Sequence, residues 1–240
     1  MSAIPISVEN LRAGYGGDDI LNGITFDVRP GEVFTIIGPN GSGKSSLIKV
    51  LAGIVPVREG RISLFGRDVT HLKTAQRIAA GLAYVPQEFN VFRNMTVGEN
   101  LRLATEFIGL RGGVAQSERD RVLGMFPDVA GRLGVQAGTL SGGQRQMLAF
   151  ACALISAPDV LLLDEPSAGL SPRLAGEIFE AVQTVNAQGT TVILVEQNVA
   201  AALPVSDRVL VLVNGAVRRL APATDLKARD DLAQLFLGEA

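Results

Sequence analysis

The chain has one cysteine, one histidine and no tryptophan. With Cys152 alone no internal disulfide can form, which points to a reducing compartment. With His71 as the only imidazole, a histidine-rich metal site is not expected. An excess of either charge is missing too: 22 basic residues face 24 acidic ones, a net of −2. Proteins that grip nucleic-acid backbones carry a clear basic excess, so no nucleic-acid partner is expected. No apolar run approaches the ~20 residues of a membrane-spanning helix. The longest, Met147 to Ile155, has nine and leaves a polar segment. The start, Met1-Ser2-Ala3-Ile4-Pro5, has no basic stretch followed by an apolar one, so no secretion signal is expected and the chain is expected in the cytosol.

Apolar residues are plentiful, at 47%, and glycine is in excess, 27 of 240 residues against a usual share near 7%. The mean hydropathy of +0.28 is high for a soluble chain and implies a large core or apolar contact surfaces. At roughly 100–200 residues per domain, the length fits one domain with at most a subdomain.

The apolar runs are short and β-type. Ile6 to Val8 and Ile24 to Val28 come first, and Pro30-Gly31 turns the chain into Val33 to Ile37. That run, like Val160 to Leu163 and Thr191 to Val195, is apolar almost throughout, as expected of parallel strands buried on both faces. Helical patterns separate them, notably Ser171 to Ala187, opened by Ser171-Pro172 as N-cap and first helical residue. The alternation predicts an α/β fold with a parallel core sheet. Near the end, Asn214-Gly215 between two apolar runs predicts a hairpin. From about residue 88 to 157 the pattern turns helical, with capping boxes at Thr96-x-x-Glu99 and Ser141-x-x-Gln144. This stretch predicts a helical insertion, with loops at Gly112-Gly113 and between Gly131 and Gly138. The expected boundaries are about 1–87 and 158–240 for the α/β part and about 88–157 for the insertion.

Gly38-Pro39-Asn40-Gly41-Ser42-Gly43-Lys44-Ser45 follows the strand ending at Ile37 and precedes a helical run starting at Ser46. This is G-x-x-x-x-G-K-[ST] in its strand–loop–helix setting. Glycines let the backbone curl so that several N–H groups face one anion, and the helix N-terminus adds its positive end. Lys44 is placed to reach β- and γ-phosphates, and Ser45 to ligate Mg²⁺. Asp164-Glu165 close the run Leu161 to Leu163, at the strand end where parallel sheets put their sites. By itself the pair could equally be a surface cap. Beside a phosphate loop, Asp164 is expected to hold Mg²⁺, and Glu165 to polarise an attacking water.

Leu140-Ser141-Gly142-Gly143-Gln144 lies 20 residues before Asp164. Together with the phosphate loop and the acidic pair, it resembles the signature of the ATP-binding cassette (ABC) ATPases, over Tyr15 to about Gly215. The resemblance implies a P-loop NTPase core of RecA type with an antiparallel β part and a helical insertion. It also implies ATP and Mg²⁺ as cofactors, held between two cassettes packed head to tail. Ser141, Gly142, Gly143 and Gln144 of one cassette then face the phosphate loop of the other, Ser46 included. Tyr15 matches the aromatic that stacks on adenine; an ordinary strand-flanking tyrosine is the lesser alternative. Gln87 matches the glutamine that touches Mg²⁺ or water. Glu88 to Phe92 resemble the surface that docks membrane subunits, although Phe89 and Phe92 could equally be core.

Two departures stand out. Gln197 occupies the switch position where the family commonly has histidine, and it can hydrogen-bond but not carry a proton. Ser171 stands where many cassettes have aspartate. With Val195-Glu196-Gln197-Asn198, Ser167-Ala168-Gly169-Leu170 and the tail Leu235-Phe236-Leu237-Gly238, they narrow the resemblance to the ATPases of branched-chain amino acid importers, with urea and amide importers close by. The implied partners are a second ATPase, identical or not, two permease subunits and an external binding protein, at the cytoplasmic face of the membrane. An exporter ATPase remains an alternative. A non-transport cassette is disfavoured by the absence of a second cassette or a heptad tract, and a non-hydrolysing regulator by the intact Asp164-Glu165 pair.

Overall fold

Five-residue strands buried along their whole length can exist only where both faces of a sheet are covered. The computed structural model, which describes residues 4–88 and 90–226, builds such a sheet. Phe89 and the Leu235 to Gly238 tail lie outside the described residues. The strands are β1 (Ile6–Ala13), β2 (Leu21–Val28), β3 (Val33–Ile37), β4 (Val57–Leu64), β5 (Arg67–Asp68), β6 (Leu82–Val85), β7 (Val160–Asp164), β8 (Thr191–Val195), β9 (Arg208–Val213) and β10 (Ala216–Pro222). The helices are α1 (Lys44–Leu51), α2 (Thr74–Ile78), α3 (Val97–Phe107), α4 (Gly112–Met125), α5 (Pro127–Ala130), α6 (Gly142–Leu154), α7 (Pro172–Ala187) and α8 (Val199–Ala202).

The central sheet runs β10-β9-β3-β8-β7-β6 and is parallel from β9 to β6, with β10 antiparallel at its edge. A second, antiparallel sheet runs β2-β1-β4-β5. The α/β expectation and the antiparallel part both hold. β9 and β10 form the hairpin predicted from Asn214-Gly215, both of which have positive φ, at 49° and 73°.

Side chains alternate between the two faces of the central sheet. Leu161 and Leu163 of β7, with Val192 and Leu194 of β8, pack against α3, α4, α6 and α7. Leu162, Ile193 and Val195 pack with Leu47 and Ile48 of α1 and with the antiparallel sheet. Fully burying one such side chain contributes about 1.5–3 kcal/mol. Phe26 and Phe34 stack with centroids 5.2 Å apart, joining the two sheets, and the Arg208 guanidinium lies 5.5 Å over Phe34.

Helices α3 to α6 follow one another between β6 and β7, where the helical insertion was expected. The pair Gly112-Gly113, expected to be a loop, instead opens α4. That helix is anchored seven residues apart by the buried Ala115, at the end of its first turn, and Val122.

Arg77 is fully buried, with no carboxylate partner among the described residues. It donates to the carbonyls of Val50 and Leu51 (both 2.7 Å) and of Thr70 and Leu72 (both 3.0 Å). A cation thereby closes the C-terminal end of α1, the end with the negative dipole charge. Burial lowers the Arg77 pKa to about 10.

Register places the functional loops. Ile36 pairs with Val195, and Val195 with Asp164, so the carboxyl ends of β3, β8 and β7 stand in one row. The loops that follow these three strands leave the sheet at the same edge.

Candidate active site

The loop after β3 is shaped by close approaches. A Cβ on Gly38 would lie 2.1 Å from the Leu212 carbonyl oxygen, so only glycine lets the loop pass β9 there. Gly43, at φ 100°, sits against Ile20 and Leu21 and hands the chain to α1 at Lys44. The Ser42 carbonyl accepts from Gly215 N–H at 3.0 Å, which ties the loop to the hairpin. Asn40 lies at the exposed rim of this loop, with Pro39 and Gly41 on either side.

Lys44 is buried, and its ammonium donates to the carbonyls of Gly38 (2.9 Å) and Pro39 (3.2 Å). It also lies 4.0 Å from Glu165 Oε1. Burial lowers the Lys44 pKa, and Glu165, Asp164 and Glu196 oppose that shift. Ser42 Oγ is buried without a hydrogen-bond partner. Ser45 and Ser46 stand in the first turn of α1.

Asp164 ends β7 and is buried. Its Oδ2 accepts from the Tyr84 hydroxyl at 3.3 Å, while its Oδ1 has no partner. Burial raises its pKa, countered by Lys49, by the Tyr84 and Ser45 hydroxyls and by Lys44. The same burial and the neighbouring carboxylate raise the Tyr84 pKa. Glu165 follows with φ 46°, a left-handed backbone that costs a non-glycine residue on the order of 1–2 kcal/mol. Its N–H is held by the Val195 carbonyl at 2.9 Å, so the side chain leaves β7 in a different direction from Asp164. Gln87 Nε2 donates to Glu165 Oε2 at 3.5 Å. The structure therefore brings Lys44, Ser45, Gln87, Asp164 and Glu165 together. A buried unpartnered carboxylate oxygen, a serine hydroxyl and an amide oxygen are hard donors of the kind that could hold Mg²⁺.

Gln197 lies on the same edge, exposed, and its side chain makes no hydrogen bond among the described residues. Tyr15 is 53% exposed, in the loop whose far end, Ile20, packs on Gly43. Phe92 is 58% exposed, which removes the core alternative for this residue. It borders an apolar groove with Phe107 and Cys152.

Ser141 to Gln144 stand apart. Ser141 caps α6, accepting from Gln144 N–H at 3.3 Å, and its own N–H donates to Gln144 Oε1 at 3.1 Å. Gly142 and Gly143 are as small as Leu170 and Leu174 require, since a Cβ would come within 3.0 and 2.9 Å of those side chains. Among the described residues no hydrogen bond or ion pair joins this segment to the phosphate loop. The segment after Gln87 is instead tied to α6 by Asn90, which donates to Gln146 Oε1 at 2.6 Å. Ser171, the other departure, caps α7 by accepting from Leu174 N–H at 3.4 Å.

One residue of this edge enters the sequence pattern only as the neighbour of Gln197, with no role of its own assigned. Glu196, 1% exposed, follows β8 directly. Its Oε1 accepts from Ser167 N–H at 3.0 Å, and its Oε2 from Gln197 and Asn198 N–H at 3.1 and 3.3 Å. Burial raises its pKa, and the Ser167 hydroxyl and the same three N–H groups pull it back. The signals in the sequence are its place in Val195-Glu196-Gln197-Asn198 and a charged residue at the carboxyl end of a core parallel strand.

The family model described as ABC transporter matches residues 21–168. The probable branched-chain amino acid transport ATP-binding protein LivF of Archaeoglobus fulgidus is 40% identical over 229 residues, covering 95% of this chain and 96% of its own. The high-affinity branched-chain amino acid transport ATP-binding protein BraG of Pseudomonas aeruginosa is 39% identical, over 88% and 90% of the two chains. Among solved structures, a nucleotide-free ATP-binding cassette from an ABC transporter superposes with a TM-score of 0.87 at 28% identity, over 97% and 98% of the chains. An ADP-bound cassette of an ABC transporter superposes with a TM-score of 0.88, also at 28% identity, over 98% and 99%.

Proposed function

This chain belongs to the ABC transporter family of ATP-binding cassettes, and from that premise we propose that it is the ATP-hydrolysing subunit of an importer for branched-chain or other hydrophobic amino acids. The solute class rests on the likeness to LivF along nearly the whole of both chains. The residue roles rest on one observation: the loops after β3, β7 and β8 meet at one edge, with Lys44 4.0 Å from Glu165.

In this reading, Gly38 to Ser46 and the α1 N-terminus receive the phosphates on backbone N–H groups. Lys44 turns from the Gly38 and Pro39 carbonyls to β- and γ-phosphate oxygens. Ser45, Gln87 and Asp164 hold Mg²⁺, for which the unpartnered Asp164 Oδ1 is suited; when bound, the ion neutralises charge on the phosphate oxygens. Glu165 orients water and takes its proton as the γ-phosphorus is attacked in line and ADP departs. Gln197 donates a hydrogen bond to the γ-phosphate, and Tyr15 stacks on adenine. Ser141, Gly142, Gly143 and Gln144 of a second cassette close the site from the other side. Residues 1–87 and 158–240 act as the catalytic part, and 88–157 as the part that carries the signature. The groove beside Phe92 and Phe107 receives a permease subunit. No helix among the described residues is long and apolar enough to cross a membrane. In this reading the chain is held at the cytoplasmic face of the membrane by that permease.

The test is transport by the chain together with its copurified permease in vesicles. ATP-dependent leucine uptake from a binding protein supports the reading. Uptake of urea or an amide alone moves the solute class, and copurification with ribosomes or DNA in place of a permease overturns it.

A further inference from the structure

Three loops must act together at this site, and hydrogen bonds show how two of them are joined. The 165–171 loop carries Glu165 at one end and Ser171, the cap of α7, at the other. The loop after β8 carries Gln197. Between them stands the Glu196 carboxylate, whose two oxygens serve different loops: Oε1 takes Ser167 N–H, and Oε2 takes Gln197 and Asn198 N–H. Its own N–H donates to the Ile36 carbonyl at 3.1 Å, the residue before the last of the phosphate-loop strand. Glu196 has the reach of one side chain and is fully buried.

We propose that Glu196 is a positioning residue that locks the Gln197 loop to the Ser167–Ser171 loop, so that Gln197 is aimed by the same element that carries Glu165. The inference rests on the proposed ATPase reading. A glutamine at the switch position has no proton to give and acts only by the direction of its amide, so its loop must be held in place. A carboxylate that accepts from two loops at once does this without obstructing the nucleotide. Because it acts through Gln197, its effect belongs to turnover and not to ATP affinity.

Two variants separate the lock from a local turn. Glu196→Asp keeps the charge and can still accept from Asn198 N–H two residues on, but it is one methylene too short to hold Ser167 as well. Glu196→Gln keeps the length but loses acceptor capacity on one arm. In the assembled transporter, each is expected to lower kcat for ATP hydrolysis about tenfold with KM within twofold, less than the ~10²–10³ that follows outright loss of a positioned donor, because Gln197 is misaimed and not removed. In a Gln197→Ala background, neither is expected to lower kcat further, because the residue it aims is gone. Wild-type kcat in Glu196→Asp would show that only the local turn matters, and losses that multiply in the double variants would show action independent of Gln197; either overturns the lock. If Glu196→Gln does not fold, Glu196→Asp alone decides. A wild-type transporter that binds ATP without hydrolysing it would sink the ATPase reading, and this inference with it. Wild-type turnover with unaffected variants would sink this inference alone.

Discussion

At the scale of single residues, the two carboxylates that close β7 are held in opposed environments. Glu165 sits beside the Lys44 ammonium and the Gln87 amide, where an ionised carboxylate can accept a proton from water. Glu165→Gln is expected to retain ATP binding and lose turnover by at least a hundredfold, since general-base assistance is worth about 10²–10⁴ in rate. Steady-state phosphate release checks it, and unchanged turnover would remove Glu165 from the role of base. Asp164 instead keeps an unpartnered oxygen in the interior. Burial raises its pKa, so the folded chain binds that proton more tightly than the unfolded one. Its contribution to stability is full below the usual carboxylate value of 3.8 and is lost as pH rises through the folded-state value. At neutral pH the ionised group is a net cost. Asp164→Asn should therefore melt higher than wild type at pH 7.5 without nucleotide, by about 2–4 °C for each kcal/mol relieved. The gap should narrow as pH falls, and Mg²⁺-dependent ATP binding should be lost. Calorimetry across pH checks both, and a lower melting point in the variant would contradict the account.

At the scale of elements, what could be read from the sequence follows from where each residue's environment is decided. β3, β7, β8 and the β9–β10 hairpin were legible because apolar side chains on both faces, or an Asn-Gly turn, are local signals. β4 was not, because Val57-Arg58-Glu59-Gly60-Arg61 is exposed and polar and is made a strand only by pairing with β1. The start of α4 was misjudged for a related reason: two glycines argue for a loop, and burial further along the helix overrules them. The phosphate loop, the acidic pair and the signature were legible because their spacing is itself the chemistry. Glu196 was not, because its role depends on backbone N–H groups 29 residues away at Ser167. The signature also serves its own chain, since Gly142 and Gly143 admit Leu170 and Leu174. Ser141→Arg retains a folded α6 but fills the mouth of the cap. Nucleotide binding to the single chain is expected to stay within about threefold, while ATP-dependent pairing and turnover are lost. Gel filtration with a non-hydrolysing Glu165→Gln background would show it, and intact pairing would count against a role for Ser141 across an interface.

At the scale of the whole molecule, the described contacts place the phosphate loop and the signature at sites that do not meet within one chain. In the proposed reading, a working site made of both is shared between two chains. Phosphate release per milligram by the isolated chain should rise with its concentration and level off as pairing saturates; strictly proportional activity would mean that one chain suffices. The same economy of partners shows in Lys44, which has two carbonyls to hold before any phosphate arrives. Capture of nucleotide is then an exchange of partners and not the filling of a vacancy. In the proposed cycle the ammonium falls back on Gly38 and Pro39 when product leaves, and no buried cation is stranded. The loop is thereby reset by its own backbone at the end of each cycle, ready for the next nucleotide without refolding.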